Sequence, residues 1–366
     1  MQNKDMKQTD FWIRMLWVWL AGLAGLTACT DEMDDAGIVL RPAIYTGTQT
    51  TRSIVNAFAS SAGGGNINAV KLYVTQSTDN AVYPSVSNGL STFTYDGDSW
   101  TGNPVVKLSN IEARIYAFHP TELEVTNKAN ADTHTVPVTV SAEQKFSGGN
   151  TWECEQADYL YGSSSEQVGT AGEIKAKNTE KNYSPTIHMQ HALAQVVFQL
   201  QTVSGRPVDD TYDYVKRITL ATTTGSDKMY FQTGTGTMQL KDGALGSLTE
   251  RDTLTFVPSE ASSAVKCGAN TSPAIVAYGL VAPMTATPAE NSLTLTILLG
   301  KPTATDGERE LTVTIPSPVK WERGRRYLYT LNLSNRDVTV DGTTTIMDWS
   351  TPEGWNGNQD MNPDGF

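Results

Sequence analysis

The sequence predicts an all-β protein built as two tandem antiparallel β-sandwich domains, and three observations predict it. Leu293, Leu295, Ile297 and Leu299 alternate with Thr294 and Thr296, and Leu311, Val313 and Ile315 alternate with Thr312 and Thr314. A period of two puts apolar side chains on one face of a sheet and threonines on the other. Turn chemistry recurs between such runs, at Asp96-Gly97, Lys241-Asp242-Gly243 and Asp306-Gly307. No long helical period appears, and 366 residues suit two domains of ordinary size once a leader is set aside.

That leader carries Lys4, Lys7 and Arg14, then the apolar Met15 to Leu20, then small residues ending at Ala28. Charge, apolar run and small side chains in that order make a secretory signal, here residues 1–28. Leu26-Thr27-Ala28-Cys29 resembles the bacterial lipobox, which implies that the Cys29 thiol is acylated and becomes the first mature residue. Two or more acyl chains hold a protein to a bilayer far more firmly than one. Asp31-Glu32-Met33-Asp34-Asp35 reads as a solvated tether, because like charges repel and are costly to bury. It is similar to the acidic tag of surface-exposed lipoproteins. Thr30, where an aspartate would retain a lipoprotein at the inner membrane, directs the expectation to the outer membrane.

Residues 29–52 are expected to form this tether and an N-terminal strand, with Ile38-Val39-Leu40 as its apolar part. The uncharged Thr46 to Thr51 ends in Arg52, a bond open to a trypsin-like protease if the loop is exposed. Strand-like runs follow at Ala69 to Val74, Phe93 to Tyr95, Val105 to Leu108, Ile115 to Phe118 and Thr133 to Val140. His119-Pro120 stops the fourth. From Ala142 to Ser184 polar residues and turn formers dominate around Tyr159-Leu160-Tyr161, and the first domain, 53–184, is expected to end there.

The second domain, 185–349, opens with Thr186 to His191. Beyond it Ala194, Val196, Phe198 and Leu200 share one parity while Gln195, Gln199 and Gln201 share the other, a strand pattern, although Leu193, Val196, Val197 and Leu200 also fit helical spacing. Tyr327, Tyr329, Leu331 and Leu333 share a face near the end, and Asp341-Gly342 is expected to return the chain as a second strand. Residues 350–366, rich in Gly, Pro, Asn and Asp, read as a tail.

Composition narrows the function. The formal charge is −12, with charged residues at 18% and no dense basic patch, which argues against nucleic acid as a partner. His188 and His191 have an H-x-x-H spacing, but on a strand they point to opposite faces and no third metal ligand stands near. The serines at 163–165 lack a positioned histidine, and Gly63-Gly64-Gly65 lacks the lysine of a phosphate loop. No catalytic residue, cofactor or metal is expected. Cys154 and Cys267 are far apart in sequence, and whether an exported chain pairs them stays open.

Four segments, in this order and spacing, resemble the fimbrillin family of lipoprotein-precursor pilins. They are Ala113 to Pro120, Asp158 to Gly162, His191 to Phe198, and Gly324 to Leu333 followed by Ile346 to Trp349. The resemblance implies transthyretin-like sandwiches and a structural subunit of surface fimbriae, stalk or tip, that supports adhesion. It further implies that an arginine-specific protease removes the N-terminal strand and that the vacated groove takes a donor strand from the next subunit, by β-strand addition. Arg52 best matches the cleavage arginine, so the mature chain would begin at Ser53; Arg41, followed by Pro42, is second choice. The donor would be the C-terminal region, through Val338, Val340, Ile346 and Met347. The expected partners are other fimbrial subunits, the processing protease, and the outer membrane through the precursor's lipid. Two alternatives stand beside this: a fimbrial anchor that keeps its lipid, and a lipid-anchored glycan-binding protein stacking sugars on Trp100, Trp152, Trp321 or Trp355.

Overall fold

In a computed structural model of the chain the described residues are 37–45 and 67–348, apart from 127–132, 148–153, 180, 205–207, 224–227, 270–271, 305, 335–336 and 341–343. Strands account for nearly all of the regular structure among them; the rest is short single turns of tight helix such as Asp210–Tyr212. The all-β expectation holds. The chain divides into two units, Met1–Ile38 and Val39–Phe366; the first contributes Ile38, exposed in the short strand Ile38–Val39.

Within the second unit the first sheet runs, in spatial order, Ala43–Tyr45, Thr186–His191, Leu160–Ser163, Ala113–His119, Ala69–Gln76, Leu90–Tyr95 and Trp100–Asn103, with Ile174–Ala176 also paired to Ala113–His119. Its central strands read as continuous apolar runs because both of its faces are buried. Val70, Leu72, Val74, Ile115, Ala117, Leu160 and Ile187 point into one hydrophobic cluster. Tyr73, Tyr116, Phe118 and Tyr161 point from the other face into a second, larger cluster.

That larger core lies between two further sheets. One places Ala274–Val281, Ala194–Thr202, Arg325–Leu333 and Val338–Val340 in order; the other places Arg309–Ile315, Leu293–Gly300, Tyr214–Thr222, Thr253–Pro258 and Glu143–Phe146. Phe198 of the first meets Phe256 of the second edge to face, ring centroids 5.1 Å apart. This is a sandwich, and the threonine faces predicted from the alternation lie on its outside, with Thr312 and Thr314 exposed. Most ladders are antiparallel. Parallel pairs join Ala194–Thr202 to Arg325–Leu333, Glu143–Phe146 to Thr253–Pro258, and Ala43–Tyr45 to Thr186–His188.

The strand reading of 194–202 is correct, but its glutamine face is not solvated. Gln195 is fully buried, because the strand sits between two neighbours in the middle of its sheet. The parallel register sets Gln195 beside Arg326, Gln199 beside Thr330 and Gln201 beside Asn332. Each pair is hydrogen-bonded, Gln199 Nε2 donating to Thr330 Oγ1 at 2.8 Å and Gln201 Nε2 to Asn332 Oδ1 at 2.7 Å, while Arg326 Nε donates to Gln195 Oε1. The ladder thus satisfies at least one polar atom of each amide, although the buried Nε2 of Gln195 has no hydrogen-bond partner among the described residues.

Strands cross the position expected to divide the domains. Thr186–His191, just beyond Ser184-Pro185, completes the first sheet against Leu160–Ser163. Thr135–Val140, well before it, pairs with Phe231–Gln239, and Glu143–Phe146 pairs with Thr253–Pro258. The physical reason is the second buried face of the first sheet: Val136, Val138, Val140 and Phe146 belong to the same cluster as Tyr73, Phe118 and the sandwich core. The C-terminal turn also differs from expectation. The chain reverses at Ser334 to Asp337, where Ser334 N–H donates to the Asp337 carbonyl at 2.8 Å. Val338–Val340 and Thr345–Asp348 then run in the same direction, both antiparallel to Arg325–Leu333. Asp341-Gly342, expected to return the chain, lies outside the described residues, and the strands before and after it share one direction.

Candidate assembly site

Cys29, Arg52 and Ser53 lie outside the described residues, as do Trp152 and Trp355. The structure does describe the N-terminal strand that precedes Arg52. Leu40, Pro42 and Ile44 are buried, whereas Arg41 is exposed and Ala43 and Tyr45 are half-buried, a period of two. Leu40 and Ile44, 2% and 8% exposed, join the cluster that holds Val70, Leu72 and Ile187. Ala43–Tyr45 forms the edge of the first sheet against Thr186–His188, and Tyr45 stacks on His188 with ring centroids 5.3 Å apart. The sequence reading named Leu40 and missed Ile44, because Pro42 in the middle of the run argues against a strand. At an edge that proline leaves no ladder bond unmade.

The backbone around Arg41 is held on both sides. Leu40 N–H donates to the Val106 carbonyl at 2.9 Å, Arg41 N–H to that of Tyr183 at 3.0 Å, and Ala43 N–H to that of Pro185 at 3.0 Å. Ser184 Oγ donates to the Arg41 carbonyl at 2.6 Å.

At the other end of the chain, the residues expected to donate a strand are brought together on one sheet edge. Val338 pairs with Leu333 and Val340 with Leu331, and Ile346 pairs with Tyr327 and Met347 with Arg326. Val338 is 3% exposed and Ile346 is 50% exposed; Val340 and Met347 are half-buried. The two halves of this edge are thus unequally held: the first inserts a side chain into the core, and the second lies on the surface.

The polar residues singled out from the sequence are drawn into structure. His188 and His191 do point apart, as expected for a strand. His191 Nδ1 is 2.8 Å from Asp158 Oδ2 in a buried pair, and His188 is taken up by Tyr45. His119 Nδ1 donates to the Ala69 carbonyl, 3.1 Å away, and burial lowers its pKa. Ser163 Oγ donates to the Thr170 carbonyl at 2.9 Å. Among the described residues no three His, Cys, Asp or Glu side chains are placed to hold a metal. Cys154 and Cys267 are both free thiols, and burial pushes each up to about 12. Trp321 is fully buried, its indole N–H donating to the Tyr329 hydroxyl at 3.0 Å, so it offers no face to a sugar. Trp100 is half-buried beside Tyr95, ring centroids 5.4 Å apart.

This geometry, short strands held at two sheet edges, agrees with what comparison with known proteins finds. No curated protein matches the chain. A crystal structure of a candidate cell adhesion protein from Bacteroides uniformis superposes with a TM-score of 0.53 at 14% identity, covering 86% of this chain and all (100%) of its own. A fimbrial protein from Bacteroides vulgatus superposes with a TM-score of 0.54 at 14% identity, covering 85% of this chain and 99% of its own. At such identities the likeness is one of fold. The model of the fimbrillin-like family, in contrast, matches residues 55–349, most of the chain. The chain belongs to the fimbrillin-like family.

Proposed function

We propose that the protein is a structural subunit of surface fimbriae, exported as a lipoprotein precursor through Cys29 and assembled by strand removal and strand exchange. The observation that carries this is the placement of Ala43–Tyr45: a short edge strand, before Arg52 in the chain, whose Leu40 and Ile44 fill the first core. A cut after Arg52 would free that strand and uncover the edge of Thr186–His191 together with the sockets of two apolar side chains. An unpaired edge above an apolar groove is a template for another strand. Arg41 is a poor alternative site, because a protease must take the chain in extended form and the backbone there is already hydrogen-bonded.

The incoming strand on this reading is the C-terminal edge of a neighbouring subunit, with Val338, Val340, Ile346 and Met347 as the side chains to be seated. Outer-membrane anchoring of the precursor and the arginine-specific protease complete the scheme. The test is N-terminal sequencing of protein recovered from the cell surface, with a limited arginine-specific digest of the purified precursor. A start at Ser53 with oligomer ladders supports the scheme. An acylated Cys29 on the mature protein, with no ladders, would overturn it and favour an anchor that keeps its own strand.

A further inference from the structure

The first sheet has a second edge, at the far end of its strand order from Ala43–Tyr45. There Trp100–Asn103 pairs, among the described residues, with Leu90–Tyr95 alone. At the tip of this hairpin Tyr95 and Trp100 stand directly opposite each other across the ladder, so their side chains share a face. Trp100 is half-buried and packs against the smaller cluster. Two residues on, the Phe93 ring occupies the place that a side chain at Gly102 would take. Tyr95 is 41% exposed. The two rings are 5.4 Å apart between centroids and inclined at 39°.

The turn that joins them is fixed by its own hydrogen bonds. Tyr95 N–H donates to the Asn68 carbonyl at 2.8 Å, and the Tyr95 hydroxyl to the Gly97 carbonyl at 2.6 Å. Asp96 Oδ1 accepts the N–H groups of Ser99 at 2.8 Å and Asp98 at 3.0 Å. Those bonds, the one from Ser99 foremost, hold the Asp96 carboxyl below its ordinary range. Asp98 is exposed, and among the described residues no hydrogen bond or ion pair occupies its carboxylate. The hairpin tip thus combines an aromatic pair with two carboxylates one or two residues away in the chain.

This combination selects among partners. An apolar protein surface laid on the rings would strip water from the adjoining carboxylates without pairing them, which is costly. An aromatic cage for a cation needs rings set around it, whereas these two lie against each other. A pyranose with equatorial hydroxyls meets both demands, since its C–H faces are apolar and its hydroxyl rim can donate to carboxylates. Carboxylates at the rim also disfavour a sugar that is itself acidic.

We infer that Tyr95 and Trp100 form a stacking platform for a neutral saccharide of the equatorial, gluco type, with the Asp96–Ser99 turn receiving its hydroxyls. The inference goes beyond subunit assembly and does not depend on it. The test is a saturation-transfer NMR titration of the full chain with cellohexaose and, as a charged probe of the same linkage, a β-1,4-linked glucuronic acid hexamer. Saturable transfer to cellohexaose is expected, strongest at the ring C–H protons. At low salt the glucuronate should bind several-fold more weakly, and the gap should narrow as salt screens the charges. Tyr95→Ala, at an exposed position, should weaken cellohexaose binding about tenfold, and Tyr95→Phe, which keeps the ring, should stay within about twofold of the wild type. Asp98→Asn should leave cellohexaose binding within about twofold while bringing the glucuronate closer to it. Absence of saturable binding of cellohexaose by the wild-type chain would overturn the inference. So would equal or tighter binding of the glucuronate at low salt, or unchanged binding by Tyr95→Ala with an unchanged melting temperature. Because the platform and Ala43–Tyr45 lie on opposite edges, cellohexaose should bind the chain before and after an arginine-specific cut alike. Binding without oligomer ladders would therefore count against the assembly scheme alone.

Discussion

Replacing Ile44 by alanine should destabilise the uncut chain yet leave a chain that begins at Ser53 untouched. Ile44 is 8% exposed and packs in the first core with Leu40 at 2%. Burying each such side chain stabilises by about 1.5–3 kcal/mol, and truncation of a core isoleucine costs about 2–5 kcal/mol once the cavity is included. The lower half of that range, about 2–3 kcal/mol, fits Ile44, because an edge strand can relax into the space. There is also a ceiling. Ordering the strand costs about 1–2 kcal/mol per residue in backbone entropy, so its net docking energy is small and Ile44→Ala can remove no more than that. The double variant Leu40→Ala, Ile44→Ala should therefore cost less than the two single losses added together. Urea unfolding of the uncut chain, followed by tryptophan fluorescence, reads the loss. After an arginine-specific cut, retention of the N-terminal peptide on size exclusion reads the docking energy directly. If the single variant unfolded at the wild-type urea midpoint and the cut peptide stayed bound as before, the burial argument for this strand would be wrong.

Other outcomes follow from particular contacts. Gly243 sits at φ +70°, and a side-chain carbon there would overlap the Tyr161 ring; Gly243→Val should lower the melting temperature by several degrees, as expected for a loss above ~1 kcal/mol. Asp213 is buried, which raises its pKa, but the bonds from Lys266 at 3.0 Å and Lys301 at 3.1 Å outweigh this and hold it below the ordinary carboxyl range. A carboxyl with a depressed folded-state pKa contributes stability above its unfolded value and loses it as the pH falls through the folded one. The melting temperature of the wild type should thus fall from about pH 4 downward, more steeply than that of Asp213→Asn. Cys154 and Cys267, with thiols pushed up to about 12 by burial, should react with an aromatic disulfide reagent at neutral pH only after denaturation.

What the sequence discloses here depends on how many faces of a strand are buried. Where one face is solvated, as at Leu293–Gly300 and Arg309–Ile315, the alternation of leucine and threonine gives strand and face together. The turns at Gly97, Gly243 and Gly307 were legible for the same local reason, each glycine having positive φ. Where both faces are buried the period disappears. Val70 to Val74 and Ile115 to Phe118 send alternate side chains into two different clusters, so the runs mark strands without revealing that the sheet joins two cores. Thr133 to Val140 was legible as a strand, but its pairing and that of Glu143–Phe146 were not, since the partners lie about a hundred residues away and nothing local specifies a long-range ladder. At the candidate site, the C-terminal side chains were visible as an alternating apolar pattern. Ile44 was obscured by Pro42, which in the middle of a run argues against a strand.

The two-core arrangement bears on how such a chain could lose a strand and survive. Leu40 and Ile44 touch only the smaller cluster, whereas the larger cluster draws on the opposite face of the same sheet and on both layers of the sandwich. Loss of residues before Arg52 would open the smaller core at one edge and leave Tyr73, Phe118 and Tyr161 in place on the far face. Local opening at low cost beside a region of high stability is the condition under which an element can leave without global unfolding. The C-terminal edge obeys the same logic in reverse. Val338 is anchored in the larger core, and Ile346 is half-exposed, so detachment would begin at the Thr345–Asp348 half and reach Val338 last. On the assembly scheme that order sets a barrier against release until an acceptor groove is present, and Val338→Ala should lower it. Faster hydrogen exchange at Val340 than in the wild type, with the exchange of Leu295 and Ile297 unchanged, is the expected signature. Exchange that rises equally in all of these residues would mean that Val338 supports the whole sandwich and that the C-terminal edge is no separate unit.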